Sequence, residues 1–341
     1  MSDFKLLLAH VATGQPLNLA QCRHAFEIIM SGGATPAQIG GFLMALRVRG
    51  ETVEEITAAA SVMREMALSV QAPANSIDTC GTGGDASGTL NISTGAAFVV
   101  AACGIPVAKH GNRALSSKTG SAEVLTALGV NIETSPDIVS ECIAKAGLGF
   151  MMAPRHHGAM KHVGPTRVEL GTRTIFNLLG PLANPAGAKR QLIGVFSRDW
   201  VQPLAEVLGN LGAQRAWVVH GADGLDELTT TGPSYVAEMK HGSVTCFEVS
   251  PEQAGLPLAR PVDLLGGGAE GNAAAIRDLL KGHKSPYRDV VLLNAAAALI
   301  IADKADSLTS GVRIAGDAID SGKASEVLNR LILISNARAA S

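Results

Sequence analysis

The sequence predicts an α/β protein: a small all-α amino-terminal domain, then a larger domain with a mostly parallel central sheet flanked by helices. Three observations carry this. Up to about Leu68 the apolar residues recur only at helical spacing. From Ile77 onward, short apolar runs alternate with helical patterns in the rhythm of strand–helix units. Glycine-rich and polar loops follow several of those runs, where the carboxyl ends of parallel strands place a site.

Taken in order, Thr35 with Pro36 is a helix cap with proline in the first turn, and Gly50 is a stop. Ile39, Phe42, Leu43 and Leu46 give the intervening helix its apolar face. Thr52 with Glu55 forms a capping box that opens the next helix, on which Val53, Ile56 and Ala60 repeat. Residues 1–70 therefore read as a helical domain, the run Gln71-Ala-Pro-Ala-Asn-Ser as a connector, and residues 71–341 as the α/β domain. Strands are expected over 77–80, 105–109, 130–132, 149–152, 191–196 and 216–220, with short ones near 235–237 and 244–249. Helices are expected near 93–103, 121–128, 136–146 and 200–211, and again towards the end. Residues 165–185 break the rhythm and are expected to pack back onto the amino-terminal bundle.

Composition narrows the class. With 47% hydrophobic and 17% charged residues the chain is expected to be a soluble globular protein. A net charge of -2 without any block of lysine or arginine gives no footprint for nucleic acid or an acidic membrane. Cys22, Cys80, Cys103, Cys142 and Cys246 lie far apart without a C-x-x-C pair, which reads as free buried thiols in a reducing cytoplasm. The first residues are too soon interrupted for a signal peptide, and no run is long enough to span a bilayer.

Residues 79–94 read Thr-Cys-Gly-Thr-Gly-Gly-Asp-Ala-Ser-Gly-Thr-Leu-Asn-Ile-Ser-Thr. Gly81, Gly83 and Gly84 leave the backbone open, so that amide N–H groups can converge on phosphate oxygens. Ser93 and Thr94 then open a helix whose first-turn N–H groups favour negative charge. Asp85 would repel a bare phosphate and suits a hydroxyl, a metal or a developing cation; a phosphorylated sugar satisfies all of these. A plain tight turn is the simpler alternative. Gly81, Gly83 and Ala86 also match a dinucleotide fingerprint, but the helix waits until about Ser93 and the next strand ends in the basic pair Lys109-His110.

That strand leads into Lys109-His-Gly-Asn-Arg-Ala-Leu-Ser-Ser-Lys-Thr-Gly-Ser. Three cations, Lys109, Arg113 and Lys118, with Asn112, Ser116, Ser117, Thr119 and Ser121, read as a second anion-gripping loop or as a solvated charged loop; a Walker A motif is absent. Asp226 and Glu227 set adjacent carboxylates at the end of a later strand, as a Mg2+ site or a solvated acidic turn. His156, His157 and His162 lack zinc spacing, since the last two are five apart, and suit hydrogen bonding or an acceptor pocket. Arg167 and Arg173 are read on one helix, either as surface ion-pair partners of residues such as Glu169 or as a guanidinium for an aromatic carboxylate.

The ordered set Gly81–Asp85, Asn91–Thr94, Lys109–Arg113, Arg167, Phe176–Pro185 and 223–227 closely resembles the anthranilate phosphoribosyltransferases over essentially the whole chain. Those enzymes share a fold with the pyrimidine nucleoside phosphorylases. The resemblance implies transfer of the phosphoribosyl group of 5-phosphoribosyl 1-pyrophosphate (PRPP) to the amino group of anthranilate, in tryptophan biosynthesis. It also implies site residues. Gly81, Gly84, Asp85, Thr89, Asn91, Ile92, Ser93, Thr94, Lys109, His110, Gly111, Asn112, Arg113, Ala114, Leu115, Ser116, Ser117 and Ser121 would hold PRPP. Gly81, Asn112 and Arg167 would meet anthranilate, and Ser93, Asp226 and Glu227 would hold Mg2+. A homodimer through the helical domain is implied too. Thr119-Gly120 replaces the Ser-Gly of many relatives and keeps the loop polar. A nucleoside phosphorylase and a non-catalytic nucleic-acid-binding relative remain as alternatives; the carboxylate pair counts against the first and the net charge against the second.

Overall fold

Capped helices build the first part of the chain in the computed structural model, which describes residues 3–85, 87–113 and 119–337. They are α1 (Asp3–Ala12), α2 (Leu19–Met30), α3 (Pro36–Arg49) and α4 (Val53–Glu65). Thr35 and Thr52, the caps read from the sequence, each start a helix with a reciprocal capping box, and Asn18 does the same for α2. Glu55 does more than cap. Its buried carboxylate accepts from Leu17 N at 2.9 Å, from Thr52 N at 3.0 Å and from the Arg49 guanidinium, tying α4 to the turn before α2.

Among the described residues seven strands form one sheet: β1 (Ile77–Gly81), β2 (Val107–Gly111), β3 (Leu148–Met152), β4 (Arg190–Gly194), β5 (Arg215–Gly221), β6 (Ser234–Lys240) and β7 (Ser243–Val249), in the order β3-β2-β1-β4-β5-β6-β7. The first five run parallel, while β6 and β7 are antiparallel. Helices α5 (Ile92–Ala102), α6 (Ser121–Ala127) and α7 (Pro136–Ala146) cross between β1, β2 and β3. Then α8 (Ala153–His156), α9 (Gly164–Leu170) and α10 (Phe176–Leu182) lead to β4, and α11 (Val201–Asn210) leads to β5. The chain closes with α12 (Ala269–Leu280), α13 (Pro286–Ile301), α14 (Leu308–Asp320) and α15 (Lys323–Ser335). From β1 the chain moves to one side, and it returns to pair β4 on the other. The crevice at the carboxyl ends of β1 and β4 is thus the switch point of the sheet, where ligands of such folds bind.

One face of the sheet packs on α5, α13 and α15, through Phe98, Val99, Leu293, Ala297 and Leu328. The other face carries Ile193, Val195, Val218 and Met239, and its apolar cluster continues without a break into the amino-terminal bundle. Residues 165–185 make the join. Phe176 of α10 lies 5.7 Å from Phe26 of α2, and Leu178, Leu179 and Leu182 belong to the same cluster.

Several expectations shift. No strand forms over 130–132: Val130 N–H returns to Leu125 O and Asn131 N–H goes to Ser335 Oγ, while Glu133 N–H, just past the segment, goes to Asn131 Oδ1, so these groups find partners outside a ladder. The second strand starts at Val107 because Pro106 has no N–H to offer a neighbour. Arg173 is not on the helix of Arg167, since α9 ends at Gly171 in the left-handed region, φ 57°. All five cysteines are free, but Cys246 is exposed, because it lies on the outer strand β7, whose side chains largely face solvent. Among the described residues no helix is long and apolar enough to cross a membrane.

Candidate active site

The end of β1 pairs in register with the end of β4, Gly81 opposite Gly194. Over that pair folds the loop after β5. A Cβ on Gly194 would land on the carbonyl of Asp226, and one on Gly81 would meet its carboxylate, so two glycines at neighbouring strand ends make room for this loop. Asp226 Oδ2 accepts from Gly83 N at 2.8 Å, while Glu227 Oε1 accepts from Ser93 N at 3.1 Å in the first turn of α5. The adjacent carboxylates therefore reach opposite walls of the crevice, one to the glycine turn and one to the helix start.

This changes the expected cradle. Thr82 N–H bonds to Gly194 O at 2.9 Å and Gly83 N–H is taken by Asp226, so among the described residues the unpaired N–H groups of the turn are those of Gly84 and Asp85. The negative charge at the start of α5 is supplied by Glu227 itself. Burial, with Asp85 and Glu227 close by, holds the Asp226 carboxyl well above the usual range. Burial pushes Glu227 up to about 7 against the pull of Lys109 and of hydrogen bonds from Ser93.

Thr89 bridges to Leu265, and Asn91 precedes α5 with its amide on Thr119 O at 3.3 Å and its carbonyl oxygen accepting from Asn272 at 2.9 Å. Ile92 and Thr94 are buried in the first turn of α5. Lys109, expected at the end of a strand and at the head of an anion-gripping loop, lies inside β2, which runs two residues further, and is 2% exposed; its ammonium donates to Thr79 O and is a counter-charge for Asp78 and Glu227. His110 follows it in β2, its ring on Gly180 O at 3.1 Å and edge-on to His157 at 5.1 Å. Burial pushes the two imidazoles down to about 3 and about 4, so both are neutral. Gly111 ends β2 against Ser121, whose hydroxyl donates to Asn112 O at 3.3 Å. Arg113 turns outward to Glu133 at 3.6 Å. Ala114, Leu115, Ser116, Ser117 and Lys118 lie outside the described residues.

Arg167 projects from α9 over the Phe176 ring, 5.6 Å from its centroid. Burial lowers its pKa, and among the described residues it has no ion pair, with Glu169 or any other carboxylate. An unpaired, partly buried guanidinium on the segment beside the crevice is free to receive an anion. Of the other histidines, His156 bonds to Leu68 O at 2.7 Å and His162 packs against Gly32, so the three do not converge.

Sequence reasoning missed the second tier. Asp78, fully buried on β1, accepts from His110 N at 3.1 Å and from Asn184 Nδ2 at 2.7 Å, and Asn184 also donates to Ala108 O at 2.9 Å. One amide thus pins residues 176–185 to both β1 and β2. A buried aspartate inside an apolar strand was the available signal, since such a group requires partners. Gly194 had none, because the loop that needs it is far away in sequence.

Comparison with known proteins agrees with this geometry. Residues 73–325 match the glycosyl transferase family a/b domain and residues 5–67 its helical bundle domain. The chain is 64% identical over 338 residues to an anthranilate phosphoribosyltransferase of Rhodospirillum rubrum, covering 99% of this chain and 97% of that one. The crystal structure of anthranilate phosphoribosyltransferase from Thermus thermophilus superposes with a TM-score of 0.92 at 45% identity, over 97% and 99% of the two chains. The Saccharomyces cerevisiae enzyme in complex with PRPP and Mg gives 0.89 at 26% identity, over 97% and 98%. The switch-point crevice and the full-length likeness agree: the chain belongs to the anthranilate phosphoribosyltransferase family.

Proposed function

We infer that the chain transfers the phosphoribosyl group of PRPP to the amino group of anthranilate, giving N-(5-phosphoribosyl)anthranilate and pyrophosphate in tryptophan biosynthesis. The observation that carries this is the placement of Asp226 and Glu227 against the glycine turn of β1 and the start of α5. Carboxylates crowd there with Asp85, beside N–H groups that have no acceptor. Such an all-oxygen donor set suits Mg2+, and we assign the ion to Ser93, Asp226 and Glu227. When bound, Mg2+ neutralises charge on the pyrophosphate.

The chain's own residues supply the rest. The N–H groups of Gly84 and Asp85, with Asn91, Ser93 and Thr94, receive the phosphate oxygens and the ribose, and Thr89 lines the same wall. Lys109 acts through its charge from below, and residues 110–117 with Ser121 complete the PRPP side. Arg167 takes the anthranilate carboxylate, with Asn112 and Gly81 on the acceptor path. Asp85, which neighbours Asp226, would offset the positive character that develops on the sugar as the bond to pyrophosphate breaks. The acceptor amine is uncharged at neutral pH, so positioning suffices and the neutral His110–His157 pair need not remove a proton first. We place the enzyme in the cytoplasm as a homodimer through its helical bundle, where Leu6, Leu19 and Val48 are exposed.

Loss of anthranilate fluorescence on mixing with PRPP and Mg2+ tests the reading. Turnover of uridine or thymidine with phosphate, and none of anthranilate, would overturn it.

A further inference from the structure

We propose that Arg173 is a positioning residue for the phosphate-binding face of the glycine turn, and that through it the acceptor-side segment sets the geometry of the sugar-phosphate side. The proposal rests on the function inferred above and deepens it.

Arg173 lies in the five residues between α9 and α10, six positions after Arg167. The segment is held by Asn177 Oδ1, which accepts from Thr174 N at 3.0 Å. The Arg173 guanidinium lies 4.1 Å from the centroid of the Phe196 ring and donates to Gly84 O. Phe196 is itself fixed by its N–H on Thr82 Oγ1 at 3.1 Å, and Thr82 N–H is fixed on Gly194 O at 2.9 Å. Guanidinium, ring and turn therefore form a closed set spanning residues 82–84, 173 and 194–196.

The consequence follows from peptide geometry. In a planar trans peptide the C=O and N–H point to opposite sides. With Gly84 O drawn to Arg173, the N–H of Asp85 is aimed away from Arg173, and that N–H is one of the two in the turn without an acceptor. Gly83 and Gly84 are both left-handed, at φ 64° and 79°. Two consecutive glycines have many alternative conformers, and the guanidinium selects the one that presents N–H groups to an anion. Among the described residues no carboxylate pairs with Arg173, so its charge also adds to the field at the turn.

The test is titration calorimetry of PRPP with Mg2+ into the full-length enzyme, beside steady-state kinetics with each substrate varied. R173Q is expected to weaken PRPP binding at least about tenfold, with the anthranilate KM at saturating PRPP moving less than about threefold. R173K should recover part of the loss, because an ammonium can donate to Gly84 O but cannot lie flat on the ring. F196L should weaken PRPP in the same sense, and R173Q/F196L should be no worse than R173Q within about twofold, because both act through one contact. Unchanged PRPP affinity in R173Q and R173K, or a loss confined to anthranilate, overturns the proposal. Additive losses in the double variant also overturn it, since the guanidinium then acts on the ligand itself. A wild-type enzyme without anthranilate turnover would instead sink the function on which the proposal rests.

Discussion

At the scale of residues, the site is a set of charges whose partners have been withheld or displaced. Arg167 is the clearest case, a partly buried guanidinium that lies over the Phe176 ring and, among the described residues, pairs with no carboxylate. Arg167→Ala is expected to raise the anthranilate KM about ten- to a hundredfold, the worth of one charge-assisted hydrogen bond, with the PRPP constant much less affected. Arg167→Lys should recover only part, because lysine lacks the planar fork. Unchanged anthranilate kinetics in a folded Ala variant would reduce the residue to a packing role. Asp226→Asn with Glu227→Gln should lower kcat/KM at least about a hundredfold while circular dichroism stays normal. Near wild-type turnover would show that the pair is only an acidic turn. Both arginines were visible in the sequence, but only one could be given a role, because the sequence does not say that Arg173 lies past the end of α9 and reaches Gly84.

At the scale of elements, helix caps are local and were readable, whereas the fit of one loop against two strand ends is not. Thr52 and Glu55 stand three residues apart and announce their helix by themselves. Gly194 ends an ordinary-looking strand, yet any Cβ there collides with backbone of the loop that carries both carboxylates. Gly194→Ala is therefore expected to cost nearly as much activity as the Asp226→Asn, Glu227→Gln double change, although residue 194 performs no chemistry. Kinetics beside a thermal melt check this; an active Gly194→Ala enzyme would mean that the loop can yield. The misread strand at 130–132 has the same origin. Its apolar pattern is that of a buried segment, but the N–H groups of Val130 and Asn131 find Leu125 O and Ser335 Oγ, and the latter is far away in sequence.

At the scale of the whole molecule, buried ionisable groups of opposite tendency bracket the stability of the protein. His110 and His157 titrate at about 3 and about 4 when folded and near 6.5 when unfolded. Below about pH 6.5 the unfolded chain binds more protons, so stability falls as pH falls towards 4. Glu227 is raised from 4.5 to about 7, so between those values its native carboxyl binds more protons and its burial destabilises increasingly as pH rises; Asp226, held well above its usual range, acts in the same direction. The metal-free protein should then have a broad Tm maximum between about pH 4.5 and 6.5, where the two effects oppose each other, and Mg2+ should raise Tm by several degrees at pH 8 but little at pH 5.5. Equal stabilisation at both values would place the metal elsewhere. Val48→Asp should turn a homodimer into a monomer in light scattering, since Val48 is 82% exposed on the bundle; an unchanged mass would move the interface off that face.

By itself the sequence determined the fold class, the placing of most elements and the identity of nearly every candidate site residue, because periodicity, caps and ordered motifs are local properties of the chain. Only the tertiary structure decided how those residues face one another. It set Glu227 against the head of α5, buried Lys109 within β2, hung residues 176–185 on Asp78 through Asn184, and drew Arg173 onto the glycine turn. Each of these contacts joins residues many tens of positions apart, and each exists because a buried charge or an unpaired backbone group must find a partner wherever the packed chain brings one within reach.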